Sequence, residues 1–296
     1  MTVLDHGEGL AVTGSPTPEA SPPRRRRSLR LVLWCGLILM ALVQLLPFWI
    51  TVTTALKPAS SASPQLLLPL GEITGENFVT AIRSGGIFTA TFNSVIVTVI
   101  ATAATCLLGA LAAYPLARRG NALNKLAYAS IVALIMVPPL SILVPLYSFL
   151  TDLGGANTYW GVIVVMVTGQ LPMSVFLYTA FVRSIPISLE EAAAIDGAGP
   201  IRTFFAIVLP LLKPVTATVI ILTSVNIWNE YALSGYILGK PAVRTIAPAI
   251  ASFFSQSVNN LGAAAAASLI AVVPVLVAYL FLQQYFIHGM IAGAEK

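Results

Sequence analysis

Charged side chains are scarce in this chain, and at two places they stand where chemistry could be done. Glu190, Glu191, Asp196 and Arg202 stand close together within 188–210. Glu230 stands in a long apolar run with Asn226, Trp228 and Asn229 beside it. A carboxylate, two amides and an indole plane suit a solute that presents hydroxyls and C–H faces. An acidic group at the centre of a membrane helix costs about 2.5–3.5 kcal/mol on insertion scales, so Glu230 is expected to face a cavity or a partner, not lipid. Two roles stay open for it: lining a solute path, or holding its helix to a neighbouring subunit. Other chemistry lacks its residues. Cys35 and Cys106 lie in apolar runs without C-x-x-C spacing, and His6 and His288 stand alone, so neither a disulfide framework nor a metal site is expected. There is no H-E-x-x-H, no nucleophile elbow and no pair of membrane carboxylates, which argues against an enzyme. Gly239-Lys240-Pro241 lacks the glycine spacing and the hydroxyl residue of a phosphate-binding loop, so this chain is not expected to hydrolyse ATP itself.

The elements that must position these groups are read from composition. The chain is 57% hydrophobic and 9% charged with a mean hydropathy of +0.88, against about 25% charged in soluble domains. It reads as an all-α membrane protein. Residues 1–28 form a tail rich in Gly and Pro that ends in Arg24-Arg25-Arg26-Arg27, a composition that cannot offset its ordering entropy and is expected to be flexible. The arginines would also attract anionic lipid head groups. Uncharged runs long enough to span fall at 31–56, within 84–117, at 125–152, at 152–183 and, interrupted only by Glu230, at 214–239. A sixth falls at 261–287. The first run is too long for a signal h-region, so an uncleaved span is expected. Residues 57–83 read as a polar loop. Pro138, Pro139, Pro172 and Pro274 read as devices of helix geometry.

Basic residues fix an orientation. With the N-terminus inside, twelve of the sixteen Lys and Arg residues fall on the cytoplasmic side, and Lys57, Arg83, Lys240 and Arg244 fall outside. The positive-inside rule then places both termini and the 184–212 loop in the cytoplasm, which accounts for the net charge of +5 without nucleic acid as a partner.

Within that loop, Ser188 and Glu191 have the spacing of a capping box, which predicts a helix starting at Ser188. Gly197 can end it in a left-handed conformation, and Pro200 suits the first turn of a second helix. In that second helix Ile201, Phe204, Phe205 and Val208 fall at i, i+3, i+4 and i+7, one apolar stripe that needs a partner. The segment is too charged for the bilayer core and is expected to dock at its surface.

Glu191-Ala192-Ala193, Gly197, Ile207 and Leu209-Pro210 also reproduce, in type and spacing, a family signature. The stretch resembles the cytoplasmic coupling loop of the membrane subunits of bacterial ATP-binding-cassette (ABC) importers. Asn93-Ser94, Ala112-Ala113-Tyr114, Ala117-Arg118, Pro138-Pro139, Pro145-Leu146, Asn157-Thr158, Trp228-Asn229-Glu230 and 289–294 extend the likeness to the carbohydrate-uptake branch, the group of the smaller maltose-permease subunit. Pro115 departs from the pattern and predicts a kink at the end of span two. The ending Glu295-Lys296 differs too, which leaves a tail contact with the ATPase open.

The resemblance implies the ABC type I importer permease fold: six transmembrane helices over 29–296, with cytoplasmic coupling helices in 184–212. It implies residence in the bacterial cytoplasmic membrane and a non-catalytic subunit with no cofactor of its own. The implied partners are a second permease subunit, two ATPase subunits that bind Mg-ATP, an extracytoplasmic sugar-binding protein and membrane lipid. Residues assigned to ATPase coupling are Glu190, Glu191, Ala192, Ala193, Asp196, Gly197, Pro200, Phe204, Leu209 and Pro210, and the family glutamate matching Glu191 makes a polar contact there. The implied cargo is a sugar or oligosaccharide, and Asn226, Trp228, Asn229 and Glu230 are the candidates for its path, with a contact to the partner permease the other role open to Glu230. Another polar solute, such as glycerol phosphate, is the alternative, although anion selectivity would want basic residues deep in a span.

Overall fold

The computed structural model describes residues 24–58, 60–61, 64–255 and 260–294. The expectations for His6 and for Glu295-Lys296 lie outside the described residues, and that for His288 outside the described side chains. The chain divides into two units, Met1–Trp49 and Ile50–Lys296. No strand occurs among the described residues.

Helix α1, Arg24–Ala55, begins at the first of the four arginines that the sequence assigns to the flexible tail. Arginine is a good helix former, and the apolar run propagates the helix back through it. Its large apolar side chains from Leu31 to Phe48 are exposed, a surface suited to lipid.

The second unit begins with the end of α1 and continues through α2, Glu76–Arg83, inside the segment expected to be a polar loop. Asn77 and Ala81 form its buried face. Lys57, expected on a polar loop, is buried, and its ammonium donates to the Pro64 carbonyl. Helix α3, Ile87–Arg118, is the longest helix of the second unit with every side chain described, and it runs on through Pro115 to its last turn. Pro115, where a kink is expected, lies inside the continuous helix and does not end it.

The third run is not one straight span. α4, Ala122–Ala133, and α5, Leu143–Asp152, belong to two helical pieces, Ala122–Met136 and Pro139–Asp152, set at 93°. Val137 and Pro138 both precede a proline, a position that disfavours the α conformation, and both are extended. Helix α6, Tyr159–Ser184, is capped by the Thr158 hydroxyl, which accepts from the Gly161 N–H at 3.2 Å.

After α6 come the short helices α7, Ser188–Ile195, and α8, Pro200–Thr203. A π turn, Phe204–Val208, and α9, Leu209–Leu211, lead into α10, Lys213–Trp228. Pro200–Leu211 meets α10 at 73°. The expected fifth span ends at Trp228 and resumes as α11, Ala232–Ile237. α12, Ile246–Ser255, and α13, Leu261–Ala294, complete the chain. Among the described residues, four helices are long and apolar enough to cross a membrane, and the count reaches six if each bent pair is one span.

Packing in the second unit follows the membrane rule that small residues let helices approach closely. α3 lies against α6, with the Ser174 hydroxyl donating to the Thr105 carbonyl at 3.2 Å. Buried Ala263, Ala264, Ala266 and Ala267 of α13 sit in one cluster with Ala81 of α2 and Phe253 of α12. A second cluster joins Ala110 and Ala113 of α3 and Val182 of α6 to Phe204, Val208 and Leu212.

Candidate functional site

The 184–212 segment is an elbow built from local backbone preferences. Gly197 adopts φ +78°, and the Ala198 N–H returns 2.9 Å to the Ala193 carbonyl while the Gly197 N–H reaches Ala194 at 3.0 Å. That pair of bonds closes α7 on a left-handed residue. Pro200 then occupies the first turn of α8, where its missing N–H costs nothing. The Ser188 capping box does not form. Ile187 already has helical dihedrals, and the Glu190 and Glu191 N–H groups both bond its carbonyl, so Ser188 lies inside the first turn. Pro186 upstream starts that turn one residue early, with Leu189 N–H 3.4 Å from its carbonyl.

The single apolar stripe expected after Pro200 splits in two. Phe204 and Val208 are buried, whereas Ile201 is 76% exposed and Phe205 48%. A π turn falls within this stretch: the Leu209 N–H bonds back to Phe204, a register that relieves the clash Pro210 would make with the Ala206 carbonyl in an α-turn. The elbow therefore has an inner face in the core and an outer face. The outer face carries Ile195, Ile201 and Phe205 with exposed Glu191, Ala192, Asp196 and Arg202. A surface hollow of about 690 Å³ lies along it, lined by Gly199, Pro200, Ile201, Arg202, Phe205 and Ala206.

Glu190 turns inward, unlike Glu191. Its carboxylate accepts from the Arg118 guanidinium at 2.7 Å and from the Tyr114 hydroxyl at 2.8 Å, both on the last turns of α3. Arg118 also donates to the Ile185 carbonyl at 3.0 Å. The Tyr114 ring sits 5.3 Å from Phe204. Glu190 is thus tied to its own chain and lies off the outer face where Glu191 stands. Ala193 and Phe204 are buried, Leu209 is half-buried and Pro210 exposed, so the residues expected to act together fall on both faces of the elbow.

At the other end of α10 the expected solute-path group is dispersed. Glu230 caps α11, accepting from the Leu233 N–H at 2.7 Å and the Ser234 N–H at 2.6 Å. The amides of Asn226 and Asn229 donate back to the Leu222 and Val225 carbonyls of α10, each at 2.8 Å. Trp228 and Asn229 do line a cavity of about 630 Å³ between α3, α10 and α13, with Thr98, Thr102 and Tyr279 on its walls. Asn226 and Glu230 do not. Among the described residues no group of His, Cys, Asp and Glu is placed to hold a metal ion.

Residues 105–291, which contain the elbow and both ends of α10, match the family described as "Binding-protein-dependent transport system inner membrane component". The chain belongs to this family. It is a multi-pass membrane permease subunit of an ABC importer. The permease is 41% identical over 273 residues to the melibiose/raffinose/stachyose import permease protein MelC of Bacillus subtilis, covering 92% of this chain and 98% of the relative. It is 32% identical to the trehalose transport system permease protein SugB of Mycobacterium tuberculosis, covering 85% of this chain and 92% of the relative. The fold is similar to a chain in the crystal structure of a bacterial ABC transporter involved in the import of the acidic polysaccharide alginate, with a TM-score of 0.77, 21% identity, and coverage of 91% of this chain and 100% of that one.

The permease also uses polar residues to which the sequence assigned no role. Asn93, buried in α3, donates to the Ala242 and Arg244 carbonyls at 3.0 and 2.9 Å and accepts from the Tyr159 hydroxyl at 2.6 Å. Ser94 accepts from the Ile246 N–H at 2.7 Å, and Asn157, at φ +58°, accepts from the Lys240 N–H at 2.9 Å. Paired amides at the start of two spans were the available signal, since a buried Asn must find several partners. Asn93→Leu would leave two carbonyls and a hydroxyl unpaired at about 1–3 kcal/mol each. The expected result is faster hydrogen exchange confined to 239–246, and unchanged exchange there would refute the assignment.

Proposed function

We propose that this permease subunit carries a sugar or oligosaccharide across the cytoplasmic membrane, and that its 184–212 elbow seats in an ATPase subunit whose closure on Mg-ATP swings the attached spans between inward-open and outward-open states. A second permease subunit, two ATPase subunits and an extracytoplasmic sugar-binding protein complete the assembly, with both termini and the elbow in the cytoplasm. The outer face of the elbow is the observation that carries this. An apolar patch of Ile195, Ile201 and Phe205 among charged residues suits neither lipid nor water and is suited to burial in another protein. Gly197, at φ +78°, turns the chain between its two limbs, so the patch can move as one body with whatever grips it. The sugar assignment is supported by relatives that are named for melibiose, raffinose, stachyose and trehalose. A glycerol phosphate importer is less well supported. Among the described side chains, the basic residues of α3, α6 and α10 stand at their ends and supply no fixed cation for a phosphate within a span.

Two measurements test the proposal. Proteoliposomes holding the complete transporter are expected to take up a radiolabelled raffinose-type oligosaccharide or a disaccharide only with ATP and the binding protein. Ile201→Cys is expected to form a disulfide cross-link to a cysteine placed in the ATPase cleft. Sugar-independent ATP hydrolysis together with no cross-link at any cleft position would refute it.

A further inference from the structure

The last turn of α3 holds both limbs of the elbow at once. Arg118 and Tyr114 bind the Glu190 carboxylate of α7, Arg118 also holds the Ile185 carbonyl, and Tyr114 packs on Phe204 beyond the glycine turn. The Arg118 and Glu190 side chains are only 14% and 12% exposed, so solvent screens this pair far less than a surface one. Toward its other end α3 is fixed again, because Asn93 and Ser94 carry the backbone of the 239–246 loop. Asn93 and Arg118 lie about 37 Å apart along the helix at 1.5 Å per residue. One continuous helix therefore has the elbow latched to one end and a loop on the opposite end of the molecule latched to the other.

We infer that Arg118, Tyr114 and Glu190 form a latch that transmits movement of the elbow into α3, which carries it as a rod to the 239–246 loop. This inference rests on the docking of the elbow proposed above. Glu190 is then a positioning residue: it touches neither the outer face of the elbow nor the cavity beside Trp228. Cutting the latch frees the α7 limb and leaves only the packing of Phe204 and Val208 to tie the elbow to α3, so movement reaches α3 incompletely and ATP hydrolysis and uptake come apart. A role in fold stability alone would lower both together.

The test uses the complete transporter in proteoliposomes, with Glu190→Gln and, as a second break, Arg118→Gln. Three quantities are read: sugar taken up per ATP hydrolysed, the amount of assembled complex, and labelling of Ala242→Cys by a membrane-impermeant maleimide with and without vanadate trapping. Cys35 and Cys106 are replaced by alanine throughout. The expected result is a fall of at least about tenfold in uptake per ATP, the scale of losing a charge-assisted contact in a partly buried pair. Labelling of Ala242→Cys is expected to change on trapping in the native latch and to stay constant in both variants. Uptake and hydrolysis falling in proportion, complexes that fail to assemble in step with lost uptake, or a labelling change that survives the break would each overturn it. An elbow that cross-links to the ATPase while Glu190→Gln keeps full uptake per ATP would overturn the latch alone. Loss of the Ile201→Cys cross-link in the unbroken chain would remove the docking as well.

Discussion

Gly197→Val is expected to reduce uptake about 5–30-fold or more while the protein still reaches the membrane in normal amount. At φ +78° an L-residue carries about 1–2 kcal/mol of backbone strain, and a β-branched one more. One to two kcal/mol is a factor of about 5–30 in a population. A Cβ at this position meets nothing within 4 Å, so the strain is conformational and owes nothing to crowding. The two bonds that close α7, from Gly197 and Ala198 back to Ala194 and Ala193, depend on that conformation. Gly197→Asn separates this explanation from a simple need for a small residue, because asparagine visits the left-handed region readily. Asn at 197 is expected to keep most of the uptake that Val loses. Equal loss with both residues, or none with Val, would show that the left-handed turn is not what the elbow requires. Membrane-inserted protein is quantified alongside uptake in each case.

The turn was legible because glycine and proline carry their backbone preferences with them, and Gly197 and Pro200 sit where those preferences put them. The same locality misled at Ser188. The capping box needs an extended residue at the helix start, and Pro186, two positions upstream, had already begun the turn. The face of the elbow could not be read from 3.6-residue spacing because the chain enters a π turn ahead of Pro210, and Phe205 stays exposed while Phe204, in ring contact with it, is buried. The different directions of Glu190 and Glu191 depend on Arg118, far away in the chain, and a clue was present: both charges flank spans on the same side. Span five was legible as apolar but not as broken. Once the helix stops at Trp228, Glu230 finds the free N–H groups of α11, and part of the cost of a carboxylate in an apolar run is offset locally. The bend at Val137 was announced by the prolines. Its 93° angle was not, because packing sets the direction that a proline only permits.

Gly109→Leu is expected to prevent the permease from folding, and Gly109→Ala to lower its stability by about 1–3 kcal/mol, the usual effect of overpacking a tight contact. Gly109 lies where α3 crosses α6. A Cβ there would overlap the Ser174 hydroxyl and stand 3.0 Å from Ser174 Cβ and 3.3 Å from the Tyr178 ring. Rotating the hydroxyl away clears the first contact but breaks its bond to the Thr105 carbonyl and leaves the second in place. Tyr178 cannot yield readily: it is fully buried and donates to the Thr216 hydroxyl of α10 at 3.0 Å. A leucine would push α6 outward along the seam that supports both the elbow cluster and the Lys213 end of α10. In lipid no hydrophobic force restores the gap, since the tails are as apolar as the side chains, so close backbone approach is itself the stabilising term. A second substitution identifies the cause. Ser174→Gly removes both obstructing atoms and is expected to return most of the stability that Gly109→Ala loses, a coupling that independent sites would not show. Fluorescence-detected size-exclusion chromatography of heated, detergent-solubilised protein reads all four combinations. If Gly109→Leu were to elute as wild type after heating, the α3–α6 crossing described here would be wrong.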